Sequence, residues 1–426
     1  QMDGLWFGWP GDVSGLDPAT LTRVEAELAE LRTVPIHLRP SEIRRYYDGF
    51  ANGVLWPLFH YLLERLPLST RNFEPYLRVN ERFAAAVAAH YRPGDLIWVH
   101  DYQLMLVPQL LRQLLPDAVI GFFLHIPFPS HEVFRLLPWR EALLRGLLGA
   151  DLIGFHTPSY LRHFATSLVR LLGTEVDVTS LWHEGRRVEL GVFPMGVDSA
   201  AFSARAADPT LLGDVAALRR RHGDARLFLG IDRLDYTKGI PRRLLSFERL
   251  LQQSPGLATQ VNLVQVAVPT RDQVSAYQDY RRTVDEMVGR INGAFSTLHS
   301  VPVHYLHRSF TEREVITLYR GADVMLVTPL RDGMNLVAKE FISCRNDEDG
   351  VLVLSEFAGA ATQLPEALIV NPYDIEGVAA TMQVALSLSR EERGQRMRRL
   401  RERVATADVH HWARRFIDDL TRLGQR

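Results

Sequence analysis

Cysteine is almost absent from this sequence. One of its 426 residues, Cys344, is a cysteine, which excludes an intramolecular disulfide and any cysteine-rich metal site. Charge of one sign is missing too: 49 Lys and Arg stand against 50 Asp and Glu, for a formal net charge of -1. That balance leaves no electrostatic footprint for nucleic acid or a membrane surface. No apolar run approaches the ~20 residues that a bilayer-spanning helix needs. The opening Gln1-Met2-Asp3-Gly4 carries neither the basic region nor the cleavage signal of a secretory leader, so a cytoplasmic location is expected. The common nucleotide motifs G-x-G-x-x-G and G-x-x-x-x-G-K-[ST] do not occur. There is also no H-E-x-x-H and no D-x-D after a strand, so neither a metal nor a cofactor is called for.

What is present is alternation. A chain of this length exceeds one ordinary core, and two domains are expected. Asp17-Pro18 starts a surface helix, and Phe73 to Tyr91 has clean amphipathic spacing. Residues 5–16 hold too much Gly and Pro for a regular element, which predicts a tight loop that buries or presents Trp6 and Trp9. Val34 to Leu38 is a strand candidate, and 41–66 reads as a helix interrupted by Gly49, Gly53 and Pro57. Three buried-strand patterns then end at His100-Asp101, His125 and His156, each joined to the next by a helix. Such βα series imply a parallel sheet, with ligands bound beyond the carboxyl ends of its strands. Residues 198–211 lack periodicity and mark the linker, after which strands at 226–231, 261–268, 302–306, 323–328, 351–354 and 367–370 form a second series. The predicted architecture is α/β, two doubly wound halves at 1–204 and 205–405, with a last helix at 406–426 whose stripe of Trp412, Phe416, Leu420 and Leu423 needs a surface to cover it.

Two loops of the second half attract attention. Asp232-Arg233-Leu-Asp-Tyr-Thr-Lys238-Gly239 follows its first strand and puts two cations before a helix N-terminus, a credible diphosphate clamp. Pairing of Asp235 with one of those cations is the plainer alternative. Thr328 to Glu340 is strand, Gly-containing turn and new helix, with Asp332, Asn335 and Glu340 near the point where an anion could sit. An ordinary βα connection has the same pattern. Glu340 is the better placed carboxylate for the paired hydroxyls of a ribose, and Arg271, past the end of another strand, could be a second anion ligand.

Phe-Gly-Trp9, Tyr46-Tyr47-Asp-Gly-Phe-Ala-Asn with Leu-Trp56-Pro, His100-Asp101-Tyr102, His125-Ile-Pro-Phe-Pro, Asp232-Arg-Leu-Asp-Tyr-Thr-Lys-Gly and Arg331-Asp-Gly-Met-Asn-Leu-Val-Ala-Lys-Glu340 occur in one order from Leu5 to Leu420. In this the chain resembles the trehalose-6-phosphate synthase family, retaining GT-B glycosyltransferases of family 20. The resemblance implies two Rossmann-like domains facing a cleft, and a final helix that returns to the first. It also implies transfer of glucose from UDP-glucose, or from GDP- or ADP-glucose, to glucose 6-phosphate without a metal. By the same resemblance Arg233 and Lys238 hold the donor diphosphate and Glu340 the ribose. Asp332, Leu336 and Val337 lie around the donor sugar and phosphates, and His125 at the donor glucose. Trp9, Tyr47, Trp56, Asp101, Arg271 and His156 form the acceptor side, with Tyr47 and Arg271 towards the 6-phosphate. Asp101, His125, Arg233 and Lys238 are the residues expected to carry the chemistry. Front-face substitution is favoured over a covalent intermediate, for which Asp101 would be the nearest carboxylate. The family opens with a strand bearing a phosphate-binding Arg and a Gly-Gly loop, and this chain begins after both, so its first sheet is expected to lack a strand. Another acceptor, such as glycerol 3-phosphate, a pseudo-glycosyltransferase, and a non-catalytic sugar-phosphate-binding regulator are the competing readings. A homo-oligomer is compatible with all of them.

Overall fold

Runs of Val, Ile, Leu and Phe form most of the strands, and outside residues 176–192 these alternate with helices, the pattern that buries both faces of a parallel sheet. The computed structural model describes residues 4–67, 71–270, 275–298 and 300–425. Two compact units result, 1–193 with 415–426, and 194–414. The sequence had placed the divisions at 204/205 and 405/406.

In the first unit, β1 (Trp6–Gly8) and β2 (Thr33–Pro35) form a small parallel pair. Residues 6–8 were expected in an irregular loop, but ladder bonds from β2, remote in sequence, make them a strand. Between the two runs α1 (Pro18–Glu30), capped as expected by Asp17, whose carboxylate accepts from the Ala19 and Thr20 amides at 3.0 Å. The expected breaks at Gly49, Gly53 and Pro57 do not occur, since Ile43–Leu55 winds as a π-helix and runs on into a helical turn at Trp56–Phe59, where the helix ends short of residue 66. A Cβ at Gly49 would lie 2.9 Å from the Arg44 carbonyl, and one at Gly53 equally close to that of Asp48. The two glycines thus admit the carbonyl five residues back. After α2 (Phe73–His90) come β3 (Leu96–His100), α3 (Val107–Leu114), β4 (Val119–Phe123), α4 (Arg140–Leu147), β5 (Leu152–Phe155) and α5 (Pro158–Leu172). A hairpin-like extension, β6 (Val176–Asp177), β7 (Ser180–His183) and β8 (Arg186–Val192), completes a sheet of order β3-β4-β5-β8-β7-β6. Its first four strands are parallel, and β6 and β7 run antiparallel to their neighbours.

The expected linker at 198–211 is largely helical. Asp198 and Asp208 each cap a helix, at Ser199–Ala206 and Pro209–His222, a signal hidden by the Ala- and Ser-rich composition. The second unit then runs β9 (Arg226–Arg233), α6 (Ile240–Gln253), β10 (Val261–Val268), α7 (Ser275–Phe295), β11 (Val303–Leu306), α8 (Glu312–Gly321), β12 (Val324–Val327), α9 (Leu336–Cys344), β13 (Val351–Ser355) and β14 (Leu368–Val370). All six strands are parallel, in the order β11-β10-β9-β12-β13-β14. This is the doubly wound dinucleotide-fold order, which reverses between β9 and β12 and opens a crevice there. Leu229, Val264, Met325, Phe341 and Leu352 belong to its core.

Helices α10 (Ile375–Ser387), α11 (Arg390–Thr406) and α12 (Val409–Gly424) end the chain. The capping box at Ser389 and Glu392 and the Asp408 cap of α12 stand as read from the sequence. From Arg415 onward α12 belongs with the first unit. Phe416 stacks on Trp98 with ring centroids 4.4 Å apart, and both Phe416 and Leu420 are fully buried. Gly121 and Gly154 make room for them, since a Cβ at either would come within 2.8 Å of the Phe416 ring.

Candidate active site

The crevice of the second unit is bounded by the loops after β9 and β12. Asp235 shapes the first loop by accepting from the Thr237 amide and hydroxyl, both at 2.9 Å, and from the Tyr277 hydroxyl at 3.1 Å. Gly239 closes that loop with φ of +68° and caps α6. A Cβ there would stand 2.5 Å from the Thr328 carbonyl, so the second loop passes directly against it. The Leu330 amide donates to the Thr237 carbonyl at 2.8 Å, joining the two loops by backbone. Lys238, nearly buried, reaches across to Asp332 with Nζ 2.6 Å from Oδ2. Arg233 is exposed at the end of β9.

Asp332 also accepts from the Gly333 amide at 2.9 Å and the Asn335 side-chain amide at 3.0 Å. It therefore organises its own turn while balancing Lys238. Asn335 takes φ of +73° and caps α9 by accepting from the Ala338 amide at 3.3 Å. Leu336 and Val337 occupy the first turn of that helix, and Glu340 follows one turn later. The Tyr319 hydroxyl donates to Glu340 Oε2 at 2.8 Å, and burial raises the carboxyl above its ordinary range. Next to it Lys339 turns inward, donating to the Met195 carbonyl and to Gln363 Oε1, both at 2.6 Å. Burial brings its amine down to about 7.

The first unit gathers a second set at the carboxyl ends of β3, β4 and β5. His100 Nδ1 lies 3.0 Å from His125 Nε2, and the ring of His156 is 5.7 Å from that of His125. A hydrogen-bonded imidazole pair can share one proton, not carry two. Burial pushes His100 down to about 3, with help from His125, and His125 down to about 4, so both rings are neutral at pH 7. Asp101 sits at φ of +71° and ψ of 172°, an unusual conformation for a non-glycine residue. Its Oδ1 accepts from the His125 amide at 3.1 Å, and its own amide bonds the Phe123 carbonyl at 2.8 Å. Trp9 and Tyr47 are in ring contact at 5.3 Å. The buried Trp9 Nε1 has no hydrogen-bond partner among the described residues. Trp56 is buried against His60 and Tyr102. Arg271 lies outside the described residues.

The family profile of glycosyltransferase family 20 matches residues 1–422. The chain belongs to glycosyltransferase family 20. Its α/β architecture is the GT-B fold of that family. Among family 20 relatives, the trehalose-6-phosphate synthase of Mycobacterium avium is 45% identical, over 100% of this chain and 88% of that protein. The bifunctional trehalose-6-phosphate synthase/phosphatase of Thermoproteus tenax is 44% identical over 98% of this chain, which spans 57% of that longer protein. A solved structure of a UDP-forming alpha,alpha-trehalose-phosphate synthase from Burkholderia xenovorans, in complex with glucose-6-phosphate, superposes with a TM-score of 0.90. It is 37% identical, with 98% of this chain and 93% of that chain covered.

Within this family 20 chain the structure brings together Lys238 with Asp332, Asp101 with His125, and Trp9 with Tyr47. Three residues that the sequence did not single out stand behind them: Tyr319 on Glu340, Lys339 beside it, and the fully buried Arg243. The available signal for Arg243 was indirect. Gln265 stands in a largely apolar strand, and a buried polar side chain needs a partner, which Arg243 supplies.

Proposed function

We propose that this family 20 chain is a retaining glucosyltransferase that moves glucose from UDP-glucose to glucose 6-phosphate, giving α,α-trehalose 6-phosphate. One observation carries the reading. Lys238 and two backbone-linked loops stand at the switch point of a doubly wound sheet, where a helix N-terminus and a cation suit a diphosphate. The relatives named above, one of them UDP-forming with bound glucose-6-phosphate, supply the substrate pair.

In this reading the donor diphosphate takes Lys238 from Asp332, and Arg233 adds a second, bidentate contact. Both cations oppose the charge that develops as the bond from glucose C1 to the diphosphate oxygen breaks. The 1-hydroxyl of glucose 6-phosphate adds to C1 from the same face and passes its proton to the departing diphosphate oxygen. His125, held neutral, can donate or accept one hydrogen bond at the donor sugar without adding charge. Asp101 is committed through Oδ1 to the His125 amide, which suits a positioning role towards the acceptor better than nucleophilic attack. Glu340 takes the ribose hydroxyls, Asp332, Leu336 and Val337 border the donor, and Trp9, Tyr47, Trp56, Arg271 and His156 belong to the acceptor side.

The test is release of nucleotide from UDP-, GDP- or ADP-glucose with and without glucose 6-phosphate. Release that requires glucose 6-phosphate is expected, greatest with UDP-glucose; no release from any donor overturns the proposal. Asp101→Asn is expected to lower turnover, and a glucosyl ester on Asp101, found by mass spectrometry of the wild type quenched during turnover, would establish the covalent route.

A further inference from the structure

Arg243 has no exposed surface to speak of, and it is among the largest fully buried side chains of the protein. A guanidinium is retained in such a place only when its donors are answered. Here they are. Nε donates to Thr328 Oγ1 at 2.9 Å, Nη1 to Asp232 Oδ2 at 2.6 Å and to Gln265 Oε1 at 3.0 Å, and Nη2 to the Lys238 carbonyl at 3.4 Å. The space it occupies is made by a glycine. A Cβ at Gly230 would meet Arg243 Nη1 at 2.5 Å and Gln265 Oε1 at 2.6 Å.

The partners are not a random set. Asp232 is the penultimate residue of β9, Lys238 lies near the end of the loop that follows, and Thr328 opens the loop after β12. One rigid, planar group, carried by α6, thus bonds Asp232, the Lys238 carbonyl and Thr328 at once, while Lys238 Nζ pairs with Asp332. A lysine at 243 could keep the charge beside Asp232 but has no fork with which to hold the rest.

We infer that Arg243 is a positioning residue for the donor diphosphate, fixing the separation of the two loops between which the phosphates lie. The inference rests on the donor-site reading above. It predicts a loss confined to the phosphates, because Glu340 and the rest of α9 make no bond to Arg243. Uridine, which lacks phosphate, and UDP are therefore the informative pair, measured by calorimetry on the full chain.

The wild-type protein is expected to bind UDP more tightly than uridine; equal affinities would overturn the donor-site reading, and this inference with it. Arg243→Lys is expected to weaken UDP at least tenfold while leaving uridine within twofold. A uniform loss for both ligands, or none for either, would overturn the inference and leave the donor-site reading standing. Should Arg243→Lys fail to fold, as judged by its melting profile, Thr328→Val decides by the same ratio. It removes one acceptor from Nε at almost constant volume, and a threefold or greater loss for UDP with uridine unchanged is expected.

Discussion

Lys339 shows what burial does to one amine. Its folded pKa of about 7 lies below the ordinary lysine value of 10.5, so between those limits the unfolded chain binds more protons than the native one. Stability contributed at this residue therefore rises with pH across that window, by up to ~1.4 kcal/mol per pH unit. The difference in unfolding free energy between the wild type and Lys339→Met, measured in urea from pH 7 to 10, is expected to grow in favour of the wild type. His100 and His125 act in the acid range with the same sign. Both are depressed from 6.5, to about 3 and about 4, so their contribution is complete above pH 6.5 and is lost as pH falls towards 4. Replacing His100 by Asn is expected to flatten the acid limb of the stability profile of the first unit. Tyr319 acts on chemistry rather than stability. Tyr319→Phe removes the hydrogen bond to Glu340, worth about 1 kcal/mol, and is expected to raise the UDP-glucose KM about fivefold with little change in kcat.

At the scale of the element, the loop joining β9 to α6 works because glycine ends it. Gly239→Ala combines a positive φ with a 2.5 Å approach to the Thr328 carbonyl, and is expected to cost at least ~1–2 kcal/mol in a chemical denaturation curve while weakening UDP binding. That loop was legible in the sequence, as were the strands of the second unit and β3, β4, β5 and β8 of the first, because β-branched runs and Gly or Pro breaks are local signals; the short β6 and β7 were not read. The strand ends at His100-Asp101, His125 and His156 were legible for the same reason, together with the carboxyl-edge rule. What escaped was decided at a distance. β1 is a strand only because β2 pairs with it; the π-helix depends on Gly49 and Gly53 admitting carbonyls five residues back. The Asp235 alternative illustrates the limit at the site: Lys238 has its ion pair with Asp332, 94 residues away, which no spacing rule could indicate. Arg243 was invisible for a related reason, since an arginine on a helix reads by default as solvated.

For the molecule as a whole, the two units differ in how the chain builds them. The second is continuous, 194–414, whereas the first is closed by residues 415–426. Phe416→Ala would empty a fully buried ring site against Trp98, Gly121 and Gly154, and is expected to cost the first unit about 3–5 kcal/mol. Tryptophan fluorescence suits the measurement. Of the 7 tryptophans only Trp412 lies between 194 and 414, so the emission change reports mainly on the first unit. A lowered midpoint by fluorescence is the expected result. The same closure sets an order of events during synthesis. Residues 415–426 leave the ribosome after the entire second unit, at roughly 5–20 residues per second for the intervening stretch. The apolar groove around Gly121 and Gly154 must then wait tens of seconds for Phe416, which makes the half translated first the half that finishes folding last.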